Sequence, residues 1–220
     1  MTHATALLLN WERPENLHRI IESLRAQSVP IEIFLWNNNP EDKTRYDVDL
    51  QIDASKNLMC WPRWWMANYA SSEYIFSLDD DLMFSDPDVV KDCVEFSKEN
   101  DCAIGGFGMR LRNRHYQKGQ RVMPRPDRDI SVDILMGRFV LLKKNGLDKL
   151  AMRPTIDATS NCPRIEDDIV LSSCLPKRMV PALLHRRLIN LHEGNSALCH
   201  SEDHYPFRER YARAYFGGRS

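Results

Sequence analysis

The sequence lacks several features that would place it at once in a well-defined class of protein. Its six cysteines include no C-x-x-C pair, which argues against a structural zinc site and against a disulfide framework. No apolar run is long enough to span a membrane, and no basic leader followed by an apolar segment opens the chain. We therefore expect a cytoplasmic protein with reduced thiols, without a signal peptide or an integral membrane segment.

A large excess of charge of either sign is also missing. Lys and Arg number 30 and Asp and Glu number 31, so the formal net charge is −1 and the chain as a whole has no electrostatic attraction to nucleic acid. Residues 110–128 are locally basic and taken alone would suggest RNA or polyanion binding. We interpret this stretch instead as a mobile acceptor or lid loop between strands, with a merely solvated loop as the alternative.

What the 220 residues do contain is an alternation of strand-length apolar runs with segments of helical period. This order predicts an α/β domain with a mostly parallel central sheet flanked by helices, in which ligands bind at the carboxyl ends of the strands. The predicted strands are residues 5–9, 31–36, 48–52 and 74–78, and the predicted helices are residues 14–26, 61–70 and 88–100.

Three consecutive acids, Asp79, Asp80 and Asp81, follow the predicted strand at residues 74–78. Side chains two residues apart in extended backbone share a face, so Asp79 and Asp81 are expected to converge. Converging carboxylates repel each other unless a cation joins them, and Mg²⁺ or Mn²⁺ prefers oxygen ligands of this kind. The alternative is a helix cap or solvated turn, but Asp86 and Pro87 already supply a start signal for the next helix.

Six segments, in this order, resemble the exostosin-like branch of the GT-A glycosyltransferases. They are NWERPENL, WNNNP, SKNLMCWPRW, LDDDL, ILMGRFVLLKK and NCPRIEDDIVLSSCL, and together they cover about residues 7–175. The short loops fit a compact viral or bacterial relative as well as the family itself. The resemblance implies one GT-A domain over residues 1–220. Residues 1–100 would form a Rossmann-like nucleotide-sugar half, residues 101–204 an acceptor and catalytic half, and residues 205–220 a helix with a linker-like tail.

The resemblance also implies a donor-binding set. An arginine after the first strand would face the diphosphate, asparagines after the second strand would meet the uracil edge, and the first two acids of the triplet would reach ribose and sugar hydroxyls. The sixth residue after Asn57 is Arg63, and this spacing is one residue longer than in the family. The implied set is Arg13, Asn37, Asn38, Asn57, Arg63, Asp79 and Asp80.

The implied cofactor is Mn²⁺ or Mg²⁺, bound by Asp81 together with Asp79 and bridging the donor phosphates. His192, which we place at the end of a predicted strand over residues 183–191 and before a glycine, would be an additional ligand. A lone histidine of this kind is otherwise a structural residue. The metal would offset the negative charge that develops on the leaving nucleoside diphosphate.

A second acid cluster, Glu166, Asp167 and Asp168, opens a segment of helical period, where acids also stabilise a helix N-terminus. The resemblance implies that one of them is catalytic, as a base for the acceptor hydroxyl or as a stabiliser of an oxocarbenium-like transition state. Alignment on the isoleucine selects Asp167 and Asp168, whereas alignment on the letters selects Glu166 and Asp167.

The implied function is metal-dependent transfer of a sugar from a nucleoside diphosphate, UDP by resemblance, to a hydroxyl of a glycan or glycoprotein, with retention of configuration. One alternative is a sugar-nucleotide nucleotidyltransferase, but the Gly-rich phosphate loop of those enzymes is missing after the first strand. The other is a catalytically silent glycan- or nucleotide-binding module, which would not need the second acid cluster.

Overall fold

A computed structural model describes residues 3–151, 166–191 and 204–217. Its strands are β1 Ala4–Asn10, β2 Ile31–Asn37, β3 Leu50–Asp53, β4 Tyr74–Leu78, β5 Leu82–Phe84, β6 Ala103–Gly105, β7 Gly108–Arg112, β8 His115–Val122, β9 Ile130–Ser131, β10 Ile134–Leu135, β11 Phe139–Lys143, β12 Arg178–Val180 and β13 Leu188–Asn190. Its helices are α1 Pro14–Arg25, α2 Pro62–Met66, α3 Val89–Asn100, α4 Asp148–Ala151, α5 Asp167–Cys174 and α6 His204–Phe216.

Eight of these strands form the central sheet, in the order β3-β2-β1-β4-β11-β6-β12-β9. The strands β3, β2, β1 and β4 are mutually parallel, β11 runs antiparallel to both of its neighbours, and β12 is parallel to β6. The predicted α/β class with a mostly parallel sheet is therefore confirmed. Because β1, β2 and β4 are parallel and in register, their carboxyl ends meet at one edge of the sheet.

Each face of this sheet is covered, which explains why the strands are apolar almost throughout. Alternate β1 residues point to opposite faces: Leu8 packs with the buried side chains of α1 and α3, whereas Leu7 packs with those of α2 and α5. Helix α1 buries Leu17, Ile20 and neighbouring apolar residues, as its period predicts. The core thus fixes the strand ends that carry the polar candidates.

Two sequence-based boundaries need correction in the second half of the chain. The strand predicted over residues 183–191 consists of a 3-10 turn at Ala182–Leu184 followed by the short β13, because Arg186 has a φ of 61° and interrupts extended backbone. The basic stretch over residues 110–128 is largely a hairpin of β7 and β8, whose turn contains Asn113 and Arg114 at positive φ. It is therefore not a long loop.

A smaller correction concerns the start of α3. The helix begins at Val89 rather than Asp88, and Asp86 Oδ1 accepts the backbone N–H of Asp88 at 3.2 Å. The predicted start of this helix, residue 88, is therefore one residue too early. Helix α2 is also shorter than predicted, because its last turn, Ala67–Tyr69, is a 3-10 turn.

The cysteines of the described residues are unpaired. Cys93, Cys102 and Cys174 are buried, and burial raises the pKa of the Cys102 thiol to about 11. Cys162 and Cys199 lie outside the described residues. Among the helices that the structure describes, none has the length and apolar character to cross a membrane.

Candidate active site

The acid triplet lies at the carboxyl edge of the sheet, in the turn between β4 and β5. Each aspartate is paired with a different arginine through its Oδ1 atom. Arg63 Nη1 lies 2.8 Å from Asp79, Arg138 Nη2 lies 2.9 Å from Asp81, and Arg13 Nη1 pairs with Asp80. Three guanidinium groups from three elements therefore offset the mutual repulsion of three adjacent acids.

Asp80 faces the start of α1. Arg13 precedes that helix and also lies near Asp81, with Nη1 4.0 Å from Asp81 Oδ2, while Asn16 Nδ2 donates to the backbone oxygen of Asp80 at 2.9 Å. Burial nonetheless raises the pKa of the Asp80 carboxyl to about 6, and the Arg13 charge only partly opposes this. The triplet is thus a partly desolvated site in contact with the first βα turn.

Arg63, on α2, joins the triplet to the second acid cluster. Its side chain is only 3% exposed; Nη1 donates to Asp79 Oδ1 at 2.8 Å, and Nε lies 3.7 Å from Asp167 Oδ2. Arg63 Nη1 also donates to the backbone oxygen of Gly137 at 3.3 Å. Acids that are 88 residues apart in the chain therefore share one buried cation.

The second cluster opens α5, which follows Glu166. Trp64 Nε1 donates to Asp167 Oδ2 at 2.7 Å, and burial raises the pKa of Asp167 although the Arg63 charge lowers it. Asp168 Oδ2 accepts from Arg208 Nη2 at 2.7 Å and from the Gly137 backbone N–H at 3.2 Å. Asp167 therefore faces α2 and the triplet, whereas Asp168 is bound to α6 and to the start of β11.

Glu166 differs from its two neighbours because both of its carboxylate oxygens are buried without a hydrogen-bond partner in the part of the chain that the structure describes. Burial raises the pKa of this carboxyl to about 7, with Arg208 acting in the opposite direction and Asp168 and Asp167 adding to the rise. A carboxyl in this condition costs folding free energy wherever the unfolded chain ionises and the folded chain does not.

We predict that Glu166→Gln stabilises the fold at pH 8 by about 3 kcal/mol, at roughly 1.4 kcal/mol per unit of the rise in pKa from 4.5 to about 7. Between pH 4.5 and about 7 the Glu166 carboxyl is ionised in the unfolded chain but protonated in the folded chain. The free energy of unfolding of the wild type therefore falls as pH rises through this range. The advantage of the variant should shrink as pH is lowered to 5. Urea unfolding at a series of pH values measures the difference.

Glu209 gives the matched control of opposite sign. Hydrogen bonds from the Gln117 backbone, Arg213 and His115 lower the pKa of the Glu209 carboxyl to about 2 despite desolvation, so Glu209→Gln should destabilise the fold at neutral pH. A Glu166→Gln effect that is the same at pH 5 and pH 8 would contradict the account of Glu166.

The predicted base-binding asparagines lie at the same edge of the sheet, where their amides hold loops together. Asn37 Oδ1 accepts from Asn10 Nδ2 at 2.9 Å, and Asn37 Nδ2 donates to Asp53 Oδ1 at 3.2 Å. Asn38 binds the next loop through the Leu58 N–H at 2.9 Å and the Met59 oxygen at 3.0 Å.

Asn57 acts on the same loop. Its Oδ1 accepts the Met59 N–H at 2.7 Å, and Met59 has a φ of 60°, which is unusual for a bulky residue. Asn38 and Asn57 thus shape the loop that leads into α2 and Arg63.

Comparison with solved structures identifies the fold. TarS residues 1–349 from S. aureus, solved in complex with UDP-GlcNAc, matches with a TM-score of 0.56 and 14% identity over 83% of this chain and 56% of that chain. The mannosyltransferase PcManGT from Pyrobaculum calidifontis, in complex with GDP-Man and Mn²⁺, matches with a TM-score of 0.54 and 12% identity over 81% and 54%. The chain has the GT-A fold. It spans little more than half the length of these two structures.

The GT-A likeness rests on structure alone. No protein-family model and no curated protein matches the sequence, so membership of the exostosin-like family is not shown. At 12–14% identity the structural neighbours establish the fold of this chain and not its reaction.

The triplet can supply only part of the ligand shell of a divalent cation. The shortest arginine contacts use the Oδ1 atoms, which leaves the Oδ2 atoms of Asp79 and Asp81 for a metal, and Arg13 Nη1 already lies 4.0 Å from Asp81 Oδ2. Residues 3–151, 166–191 and 204–217 contain no group of three or more His, Cys, Asp or Glu side chains placed to hold a metal ion without further ligands. Two carboxylates with phosphates and water completing the shell are the usual arrangement for Mg²⁺ in phosphate-binding sites, and this donor set fits it.

His192, the predicted additional ligand, lies outside the described residues. The residue before it can be placed: the Leu191 backbone N–H donates to the Asp81 backbone oxygen at 2.8 Å. The chain that leads into His192 therefore passes directly beside the triplet.

Sequence reasoning missed two arginines of this candidate site. Arg138 directly precedes β11, whose antiparallel pairing with β4 places it beside Asp81, and its guanidinium also lies 5.0 Å from the Phe107 ring centroid. Arg208 comes from α6, pairs with Asp168 and lies 4.7 Å from the Tyr116 ring centroid. Arg138 stands within ILMGRFVLLKK, one of the six segments that resemble the family, whereas nothing local distinguishes Arg208 from other helix arginines.

Proposed function

We propose that this chain is a metal-dependent glycosyltransferase that moves a sugar from a nucleoside diphosphate to a hydroxyl of a glycan. The observation that carries the proposal is the contact of buried Arg63 with both Asp79 and Asp167 on a GT-A sheet. This contact brings an acid cluster suited to the donor and an acid cluster suited to proton transfer into one site. A silent binding module would not need the second cluster.

The donor half of the proposal covers residues 1–100. Arg13 stands at the first βα turn, where a guanidinium can bind diphosphate oxygens in a bidentate manner. Its Nε atom and Asn10 Oδ1 are buried without a partner among the described residues, and buried polar atoms are normally hydrogen-bonded. A bound nucleotide sugar would supply partners at this edge of the sheet.

The nucleotide is assigned to UDP on the strength of the sequence resemblance. The structural neighbours were solved with UDP-GlcNAc in one case and with GDP-Man and Mn²⁺ in the other, so GDP is the natural competitor in an assay. Asp81 and Asp79, together with His192, would hold Mn²⁺ or Mg²⁺. When bound, the metal would neutralise the charge that develops on the leaving diphosphate.

The catalytic half uses α5 and the residues packed around it. Burial raises the pKa of Asp167 toward neutral pH, which suits a group that must both lose and accept a proton during turnover. Trp64 fixes the carboxylate through Oδ2, and Arg208 fixes the neighbouring Asp168. We propose that Asp167 contacts the acceptor hydroxyl or the anomeric carbon. The resemblance to exostosin-like enzymes implies that the transfer retains the configuration.

Donor turnover tests this proposal. Wild-type protein should release the nucleoside diphosphate from one member of a panel of UDP- and GDP-sugars, and the release should increase when a suitable glycan is added. NMR of the product gives the configuration at the new linkage, where inversion would refute only the retaining assignment. Absence of turnover with every donor, despite tight nucleotide binding, would favour the binding module.

A further inference from the structure

A cavity of about 780 Å³ lies between the end of β8, the start of β9 and the segment that contains β13, and arginine side chains give it a strong local positive charge. Five arginines line it: Arg110, Arg121, Arg125, Arg128 and Arg186. Among the lining residues that the structure describes, Asp129 is the single carboxylate, and its Oδ1 already accepts the Ala182 backbone N–H at 2.8 Å. The whole chain has a formal net charge of −1, so this concentration of arginine is specific to the cavity.

The contacts of these arginines leave most of their charge uncompensated. Arg110 Nε donates to the backbone oxygen of Ser131 at 2.8 Å, and Arg121 Nη2 donates to the Tyr205 hydroxyl at 2.8 Å, both of which are neutral. Arg128 Nε lies 3.9 Å from Asp127 Oδ2, in an ion pair between two largely exposed side chains that solvent screens. Neutral acceptors therefore hold Arg110 and Arg121, and a solvent-screened ion pair holds Arg128, so these three arginines keep the capacity to bind an anion.

The cavity is connected to the active site through two of its lining residues. Asn190 pairs with Leu82 in the β13–β5 ladder, directly after the triplet. Phe107 lies under the Arg138 guanidinium, which in turn binds Asp81. A molecule bound in the cavity would therefore extend toward Asp81. It would approach from the side of the sheet where β8, β9 and β13 lie, and not from residues 1–100.

We propose that this cavity binds an anionic acceptor glycan, whose negative groups are carboxylates, sulfates or phosphates. The inference rests on the proposed glycosyltransferase function and names the acceptor class for that site. Guanidinium groups bind each of these anions in a bidentate manner, and the cavity has the volume of a typical site for a small ligand. A neutral glycan would not use the five exposed positive charges that line the cavity.

The shape of the site favours a glycan over RNA. The arginines surround a concave cavity instead of forming a stripe, and the aromatic rings among the described residues that line it are those of Phe107 and His185. The Phe107 ring already contacts Arg138, and His185 Nδ1 lies 3.2 Å from the Pro124 backbone oxygen. Proteins that bind single-stranded nucleic acid usually offer several free aromatic rings on which bases stack.

The test measures binding of oligosaccharides to the full chain by calorimetry. The probes are a hexasaccharide with uronate groups, its carboxyl-reduced neutral counterpart, a sulfated hexasaccharide, a phosphodiester-linked oligosaccharide and a 12-nucleotide single-stranded RNA. At least one anionic oligosaccharide should bind about tenfold or more tightly than the neutral one, since each charge-assisted contact contributes on that scale. The double variant Arg125→Gln/Arg128→Gln should lose about tenfold of this affinity or more.

Arg112→Gln provides the matched control, because Arg112 is an exposed arginine at the end of β7 that does not line the cavity. The control should bind like wild type. Equal binding of neutral and anionic probes, no binding of any anionic oligosaccharide, an equal loss in Arg112→Gln, or a preference for RNA would each overturn the proposal. Donor turnover without acceptor is measured separately, so loss of the cavity proposal and loss of the glycosyltransferase proposal give different results.

Discussion

Replacing Arg63 with methionine should lower the free energy of unfolding by about 3–5 kcal/mol, the range found when one partner of a buried ion pair is removed. Arg63 is almost completely buried, and it is the cation shared by Asp79 and Asp167. Methionine fills much of the space of the aliphatic stem but leaves buried Asp167 and partly buried Asp79 without their shared cation. The predicted cost is therefore electrostatic, since the loss of packing is small.

Urea unfolding at pH 7.5 measures this loss, and two further variants interpret it. Arg25→Met removes a half-exposed arginine that pairs with Asp49 at 3.1 Å, and it should cost no more than about 1 kcal/mol. The double variant Arg63→Met/Asp167→Asn should recover part of the loss because one unpaired charge is gone. A loss for Arg63→Met no larger than that for Arg25→Met would show that Arg63 does not join the two clusters.

Asp167→Asn should slow sugar transfer by about 10²–10⁴-fold, the usual contribution of a general acid–base group. Asparagine retains an oxygen that can accept from Trp64 Nε1, so the local fold of α5 should survive, but the amide cannot take up a proton. The loss should therefore appear in the maximal rate with little change in the donor Michaelis constant. Initial rates at saturating donor give this value.

Two further variants are compared with Asp167→Asn in the same rate measurement. Asp92→Asn changes an aspartate of α3 that pairs with Arg187 at 2.8 Å outside the site, and it should leave the rate unchanged. Asp168→Asn weakens the contact with Arg208, and a larger loss there than in Asp167→Asn would move the catalytic assignment to Asp168. Full activity in both Asp167→Asn and Asp168→Asn would remove α5 from the mechanism.

The fold of residues 1–100 could be predicted in some detail because its information is local. The strand over residues 74–78 was predicted with the boundaries that the structure has, and β1, α1 and β2 differ by one residue or so at their ends. Their apolar periods are strong, and the parallel βα order follows from them. The acid triplet was expected at the strand end and lies there.

The partners of the acids could not be predicted because they depend on pairing between distant segments. The antiparallel direction of β11 brings Arg138 to Asp81, and the docking of α6 brings Arg208 to Asp168. Apolar periodicity does not encode either arrangement. The basic stretch was misjudged as a loop because its alternation along β8 is dominated by polar residues, with Tyr116 and Val122 as the buried exceptions.

The role of the triplet as a metal site is tested by nucleotide release with and without Mn²⁺, for wild type and Asp81→Ala. The donor is the active member of the UDP- and GDP-sugar panel. We expect release that requires the metal in wild type and that falls by about 10²-fold or more in Asp81→Ala, because the charge that develops on the leaving diphosphate is then no longer offset. Metal-independent release of equal rate in both proteins would contradict this role, and the triplet would then be a structural turn held by its three arginines.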